Sequence, residues 1–169
     1  MDVATDALPR RSRRQGGRAP RTRGPLSFTF DANVLLYASD ETSRFQPRAR
    51  AFLEDVASGD ELFYLFWPTV MAYLRIATHP AIFEQPLPLA TACDNIDRLV
   101  ALPQAQTAGE GDRFWAAVLH VANEADARGN LVPDAHLVAL MTENGVRTIW
   151  THDRDYRRFT SIETRDPFE

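Results

Sequence analysis

Three aspartates, Asp31, Asp134 and Asp153, occupy positions from which their carboxylates could do chemistry together. Asp31 directly follows the apolar segment LSFTF, Asp153 comes just after VRTIWT, and Asp134 lies near the start of a helical segment. Carboxylates held within a few ångströms repel one another, and a hard divalent cation such as Mg²⁺ or Mn²⁺ relieves that repulsion. Because such a cation can activate water and stabilise charge on a phosphate, the pattern predicts metal-assisted phosphodiester hydrolysis.

Each acid also has an ordinary structural interpretation when it is considered alone. Asp31 precedes a helical pattern and could be its N-cap, and Asp134 could stabilise the first turn of another helix. Asp153 lies in HDRDY, which is compatible with simple turn chemistry. Their recurrence at related strand–helix junctions favours a common site over three separate local roles.

Predicted strands alternate with predicted helices along the chain, and these elements would position the acids. Such alternation is typical of an α/β fold with a mostly parallel sheet, in which ligands bind at the carboxyl ends of the strands. Asp31 and Asp153 both follow strand segments, so we expect them at one edge of one sheet. Strands are predicted at 26–30, 61–66, 102–107, 146–151 and 161–165, and helices at 32–39, 44–57, 68–77, 89–100, 110–127 and within 131–145.

Composition limits the classes of function that the 169 residues can support. The single cysteine, Cys93, excludes an internal disulfide, and the absence of lysine excludes side-chain Schiff-base chemistry. Residues 27–169 carry twelve arginines and 21 acidic residues, a net charge of −9. A domain with that charge binds nucleic acid poorly unless metal ions or partner charges offset its field.

The N-terminal segment differs from the rest of the chain. Residues 1–26 carry seven arginines and two aspartates and show no apolar periodicity, so we expect a disordered arm. The arm could bind RNA or an acidic partner, or be a solvated tail or a wrongly assigned translation start.

We expect a single domain over 27–169. No apolar run is long enough for a membrane span or a signal peptide, which indicates a cytoplasmic protein without membrane partners.

Four segments together resemble the PIN-domain family and, within it, the VapC toxins. The segment at 73–83 is similar to the LRIAT segment of an actinobacterial branch of VapC, and the matched regions span most of the chain after the arm. The four segments are FDANVLLYA at 30–38, YLRIATHPAIF at 73–83, GNLVPDAHLVAL at 129–140 and THDRDYRRF at 151–159.

This resemblance implies a PIN-like, Rossmann-like three-layer fold, with helices flanking a mostly parallel central sheet. It makes Asp31, Asp134 and Asp153 the catalytic and metal-binding acids of an endoribonuclease that depends on Mg²⁺, with Mn²⁺ as the alternative. It also implies the toxin component of a VapBC-like toxin–antitoxin pair, with an RNA substrate, a VapB-like antitoxin and a homodimeric state.

Five further residues are candidates for contact with the acids or the substrate. Thr151 matches a hydroxyl position that lies beside the metal site in the family, and Asn33 and Asn130 neighbour the acids in sequence. Arg75 could contact a phosphate or pair with an aspartate, and Asp155 is an additional acid near Asp153. For each of them the alternative is local turn, capping or surface chemistry.

The sequence departs from the family pattern at one acidic position. Many PIN nucleases carry a glutamate where this chain has Ala72, which puts the binding of a second metal in doubt. Glu110 could compensate for the missing acid. His136 and His152 neighbour the acids, but successive residues of an extended segment point to opposite sides, so His152 is not expected to share a metal with Asp153.

Two other functions are compatible with the sequence. A PIN fold that has lost catalysis could serve as a binding module for an antitoxin or RNA, and Ala72 is the best support for that reading. A haloacid-dehalogenase-like phosphatase would begin with a similar apolar strand and D-x-D motif. Here Asn33 replaces the second acid of that motif, and the lysine usual in that superfamily has no counterpart.

Overall fold

The computed structural model describes residues 27–169. The arm predicted over 1–26 lies outside the described residues, so its disorder stays a prediction. The strands are β1 (Phe28–Phe30), β2 (Phe63–Phe66), β3 (Ala105–Ala108), β4 (Thr148–Trp150) and β5 (Glu163–Arg165). The helices are α1 (Ala32–Ser39), α2 (Gln46–Ser58), α3 (Trp67–Ala77), α4 (Leu89–Val100), α5 (Phe114–Ala125) and α6 (Leu131–Glu143).

The five strands form one sheet in the order β3-β2-β1-β4-β5, and every described pair is parallel. In the register, Phe28 of β1 pairs with Phe63 of β2 on one side and with Thr148 of β4 on the other. The carboxyl ends of the strands therefore lie along one edge of the sheet. The predicted α/β fold with a parallel central sheet is confirmed.

Both faces of the sheet are covered, as parallel sheets require. Phe28 and Phe30 of β1 and Leu65 of β2 belong to a core cluster with α1 to α4, whereas Phe66 and Ile149 belong to a second cluster with α5 and α6. This division follows from the two-residue period of strands, which sends successive side chains to opposite faces. Two helical layers around one sheet give the expected three-layer architecture.

The start of α5 differs from its prediction. The helical pattern suggested a start near 110, but α5 begins at Phe114. The carboxylate of Glu143, at the end of α6, accepts hydrogen bonds from the backbone N–H groups of Gly111 (3.0 Å) and Arg113 (2.9 Å). Because the N–H groups of Gly111 and Arg113 bind this carboxylate, the helix begins only after them.

The connection from β4 to β5 contains a 3₁₀ helix, Arg154–Arg158, that the sequence did not predict. Its polar residues show no clear period, but Tyr156 at its centre is buried against the second core cluster. The helix thereby fixes the segment that follows Asp153.

None of the helices within 27–169 is long and apolar enough to cross a bilayer.

Candidate active site

The carboxyl-terminal edge of the sheet carries a pocket of about 180 Å³ that contains all three predicted acids. Asp31 follows β1 and Asp153 follows β4, which are neighbouring strands, and Asp134 comes from the first turns of α6. The start of α3 supplies the facing wall. The other lining residues are Ala32, Asn33, Pro68, Thr69, Ala72, Pro133, His136, Leu137 and Tyr156.

Asp31 is almost completely buried, with 4% of its surface exposed. It is the N-cap of α1, because its Oδ1 accepts hydrogen bonds from the backbone N–H groups of Asn33 (2.9 Å) and Val34 (3.3 Å). Its Oδ2 accepts hydrogen bonds from the Thr151 hydroxyl and from Nδ2 of Asn33, the latter at 3.3 Å. Capping and a position in the site are therefore compatible at this residue.

Burial dominates the ionisation of Asp31. Desolvation raises the pKa of this carboxyl from 3.8 to about 6, the hydrogen bonds from Thr151, Val34 and Asn33 act in the opposite direction, and the charge of Asp153 raises it further. An uncompensated carboxylate at this place is costly at neutral pH. A bound cation would remove that cost.

Thr151 links the acids of the two central strands. It is buried, its hydroxyl donates to Asp31, and its Oγ1 accepts the backbone N–H of Asp153 at 2.9 Å. This arrangement depends on the register of β1 and β4, which also places the N–H of Asp31 3.2 Å from the carbonyl of Trp150. Thr151 therefore fixes Asp31 and the start of the Asp153 loop relative to each other.

Asp153, Asp134 and Asp155 form the tightest acidic group of the site. One carboxylate oxygen of each lies within 4.8 Å of the others. Asp153 is also the N-cap of the 3₁₀ helix, since its Oδ1 accepts the N–H of Asp155 at 2.9 Å. Asp31 borders the same pocket but does not belong to this trio.

Asp134 shares the raised pKa of Asp31. Partial burial is the largest cause that raises the pKa of this carboxyl from 3.8 to about 6, followed by the charge of Asp153, while the Tyr156 hydroxyl acts in the opposite direction. Burial and the nearby carboxylates in turn raise the pKa of Tyr156 well above its usual value of 10, which keeps that hydroxyl protonated. Tyr156 can therefore donate a hydrogen bond in the site.

The donor groups of the pocket fit a hard divalent cation. Asp31, Asp134 and Asp153 in the pocket, and Asp155 beside the last two of them, offer oxygen atoms only, which is the ligand type that Mg²⁺ and Mn²⁺ prefer. On the facing wall, Thr69 is buried and its hydroxyl has no hydrogen-bond partner among the described residues. A buried hydroxyl without a hydrogen-bond partner is unfavourable. Its presence at the border of the pocket is therefore consistent with a ligand-binding site.

The other predicted residues divide into two groups. Asn33, Thr151 and Asp155 contact the acids as described above. Arg75 and Asn130 are exposed and do not border the pocket, so the structure does not bring them to the acids. Ala72 borders the pocket at the position where the family pattern has glutamate, and no described side chain restores a carboxylate there.

The two histidines point in different directions. His136 borders the pocket, where its Nε2 lies 2.8 Å from Oε1 of Glu110, so Glu110 is engaged by this histidine. His152 points away from the pocket, and its Nδ1 lies 2.7 Å from Oδ2 of Asp166. The alternation predicted for His152 and Asp153 agrees with this geometry.

Two polar residues of the pocket were missed in the sequence, Thr69 and Tyr156. Thr69 could have been noticed because Pro68 marks a helix start directly after the second strand, at the edge where ligands bind. Tyr156 follows Asp153 by three residues, but only the 3₁₀ geometry turns its ring into the core and its hydroxyl towards Asp134. No sequence period signals that geometry.

Comparisons with known proteins agree with this fold, although no family model matches the chain. Ribonuclease VapC48 of Mycobacterium tuberculosis is 45% identical over 143 residues, which cover 85% of this chain and 99% of that protein. Among solved structures, VapBC2 from Rickettsia felis bound to a promoter DNA fragment superimposes with a TM-score of 0.60 at 10% identity, covering 83% of this chain and 98% of that one.

A second solved structure is Mycobacterium tuberculosis VapC20, described as a toxin that cleaves the sarcin–ricin loop. It has a TM-score of 0.57 at 14% identity and covers 80% of this chain and 98% of that one. The structural likenesses confirm the PIN-like fold. The sequence identity with VapC48, over most of this chain and nearly all of that protein, shows the relationship itself: this chain belongs to the VapC family of ribonucleases.

Proposed function

We propose that this chain is a metal-dependent endoribonuclease and the toxin of a VapBC-like toxin–antitoxin pair. The observation that carries the proposal is the pocket at the sheet edge, which brings Asp31, Asp134 and Asp153 together in a member of the VapC family. Two of these acids, Asp31 and Asp134, have raised pKa values, as expected of carboxylates prepared for a cation.

Asp134 and Asp153 would hold the metal, with Asp31 and Asp155 completing the oxygen donors. Bound there, a divalent cation supplies charge stabilisation to the phosphate and lowers the pKa of a water nucleophile. We propose Mg²⁺ as the natural ion and Mn²⁺ as its substitute, because oxygen-only ligation suits both. This charge would also offset the negative field of the domain at the place where RNA must approach.

The chain's own groups would keep the site rigid. Asp31 is held by two backbone N–H groups and by Thr151, and Thr151 also holds the backbone of Asp153. Tyr156 is buried, and its hydroxyl remains protonated beside Asp134. These hydrogen bonds fix the carboxylates before substrate arrives, so little reorganisation is needed during the reaction.

The alternative of a catalytically inactive binding module has one supporting observation, the absence of a carboxylate at Ala72. That absence removes one donor of the family pattern and leaves the four aspartates described above. A haloacid-dehalogenase-like phosphatase is not compatible with membership of the VapC family. The test of function must therefore separate an active nuclease from an inactive member of the same family.

A cation series on total cellular RNA tests the proposal. Protein purified without antitoxin and treated with chelator is expected to give discrete RNA fragments with Mg²⁺ or Mn²⁺ and none with chelator alone, because the aspartates need a hard cation to act. Fragments are resolved on a denaturing gel and counted by end mapping. Cleavage that persists in EDTA would contradict metal dependence, and absence of cleavage from folded protein on all RNAs would favour the inactive module.

The proposal includes two protein partners. A VapB-like antitoxin is proposed from family membership, since VapC20 is described as a toxin and the Rickettsia protein as part of VapBC2. A homodimer is supported by large apolar side chains that stand exposed on α3 and α5, namely Trp67, Met71, Trp115 and Leu119. Burial of such residues is a common driving force for association of identical chains.

A further inference from the structure

We infer that Arg154 and Arg157 bind phosphates of the RNA strand on the side of Asp153 that faces away from the metal pocket. This inference rests on the proposed function, because it assigns the path by which the substrate strand reaches the acids. It concerns residues that the family resemblance did not single out.

The geometry rests on a small surface cleft, of about 10 Å³, beside the active site. The cleft is lined by residues of β5, the 3₁₀ helix and the segment between β4 and that helix, namely Thr151, His152, Asp153, Arg154, Arg157, Thr164, Arg165 and Asp166. Among the described residues, Asp153 alone lines both this cleft and the acidic pocket. The two depressions therefore meet at a catalytic acid.

Three of the eight residues that line the cleft are arginines and two are aspartates, whereas residues 27–169 as a whole carry a net charge of −9. Arg154 and Arg157 are exposed, and neither forms an ion pair or a side-chain hydrogen bond within residues 27–169. Arg165 also borders the cleft, but it is 2.9 Å from Glu163 and its guanidinium lies over the Trp150 ring. Arg154 and Arg157 thus remain available to a ligand, whereas Arg165 is partly neutralised.

The carboxylates in the cleft are already engaged. Asp166 is 11% exposed, its Oδ2 lies 2.7 Å from Nδ1 of His152, and its Oδ1 accepts the N–H of Phe168 at 2.9 Å. Asp153 caps the 3₁₀ helix and faces the metal pocket. The groups that are free to meet a ligand in this cleft are therefore the two guanidinium groups.

An RNA backbone is the ligand that this placement favours. Arginine binds phosphate through paired N–H groups, and phosphate contacts position a nucleic acid without reading its sequence. A strand with one phosphate in the acidic pocket would pass its neighbouring phosphates across a cleft that begins at the same aspartate. An acidic protein segment would have no reason to lie beside the catalytic acids, so it is treated as the competing outcome.

The test measures binding in a background that does not cleave RNA. All proteins carry Asp31→Asn, and the probe is a fluorescein-labelled single-stranded oligoribonucleotide of mixed sequence, with Mg²⁺ present and salt varied. The double change Arg154→Gln with Arg157→Gln is expected to raise Kd about tenfold, since each exposed, solvent-screened charge contact contributes a few-fold. The slope of log Kd against log salt should fall by about 0.7 for each arginine removed.

Two controls separate local contact from general charge. Arg154→Lys with Arg157→Lys keeps the charge and should keep most of the salt dependence. Arg98→Gln with Arg147→Gln makes the same change in net charge at exposed residues on α4 and before β4, away from the carboxyl edge, and should leave the slope unchanged. Metal affinity, measured by calorimetry without RNA, should be the same in all of these variants.

The outcomes are distinct. Equal RNA binding by the Gln double variant and its parent, or an equal loss in the remote pair, would overturn the inference while the proposed function stands. If the double variant binds RNA as its parent does but loses binding of a fluorescein-labelled acidic peptide, the inference is overturned in favour of a protein ligand. If the parent binds no RNA at any salt, the proposed function fails together with it. Should the double variant not fold, each single Gln variant is expected to lose about 0.7 of slope.

Discussion

Asp134→Asn and Asp153→Asn are each expected to lower the initial rate of RNA cleavage on the order of 10²- to 10³-fold, the usual cost of removing one preorganised electrostatic group from an active site. The same changes should weaken Mg²⁺ binding by at least about tenfold, because an amide is a poorer ligand than a carboxylate for a hard cation. Initial rates and calorimetric metal affinity are the two measurements.

The fold should survive these substitutions. Asn is as good an N-cap as Asp, so Asn at position 153 can still accept the N–H of Asp155 and maintain the 3₁₀ helix. Asp134 caps nothing in the described structure, and an amide there can accept the Tyr156 hydroxyl. Loss of cleavage together with unchanged circular dichroism would therefore locate the effect in the carboxylate charge.

Asp155→Asn is the matched control. Asp155 belongs to the acidic trio, but it is exposed, whereas Asp134 and Asp153 are partly buried. We expect the rate to fall only about tenfold, at the low end of the effects seen around metal sites, because Asp155 is the most exposed oxygen donor of the trio. If Asp153→Asn and Asp155→Asn had equal and small effects, the assignment of Asp153 as a metal-binding acid would be wrong.

Asp31→Asn is expected to stabilise the metal-free protein at pH 7. The Asp31 carboxyl has a pKa of about 6 in the folded chain against 3.8 for the ordinary side chain, so ionising it disfavours folding. The difference corresponds to roughly 2 to 3 kcal/mol of unfolding free energy at most. Urea unfolding in EDTA measures it, and the variant should at the same time lose cleavage.

The stability difference between Asp31→Asn and wild type should depend on pH in a defined direction. A carboxyl with a raised folded pKa binds more protons folded than unfolded between pH 3.8 and about 6, so its contribution to stability decreases as pH rises through that window. The advantage of Asp31→Asn over wild type should therefore be absent near pH 4 and complete above pH 7. A variant less stable than wild type at pH 7 in EDTA would contradict the assigned cost of burying Asp31.

Metal affinity should increase as pH rises, because the same carboxyl groups lose their protons. Cations bind the deprotonated carboxylates, so protons compete with Mg²⁺ as pH falls through about 6, where Asp31 and Asp134 take up protons. Cleavage should therefore decline below pH 6 and recover in part when the Mg²⁺ concentration is raised.

The sequence predicted the sheet edge well because local patterns determine it. LSFTF and VRTIWT are apolar enough to be buried strands, and parallel strands must present their carboxyl ends together, so Asp31 and Asp153 were expected near each other. The register that joins them through Thr151 could not be read from either segment. It depends on pairing between residues about 120 positions apart.

Three features show where sequence patterns lose information. Arg75 and Asn130 were chosen by proximity along the chain, but the structure leaves Arg75 exposed a turn beyond Ala72 and leaves Asn130 exposed before α6. The segment DRDYRR carries no helical or strand period, so the 3₁₀ helix and the placement of Tyr156 were not predictable. Asp31 also shows that capping and site membership, which were treated as alternatives, can be the same contact.

The most direct test of the central claim compares wild type with Asp31→Asn, both purified without antitoxin, on total cellular RNA in Mg²⁺ and in EDTA. The account predicts discrete cleavage only for wild type in Mg²⁺, with both EDTA lanes and both variant lanes showing intact RNA. Equal cleavage by the folded variant and wild type in Mg²⁺ would contradict the assignment of the aspartate pocket as the catalytic site.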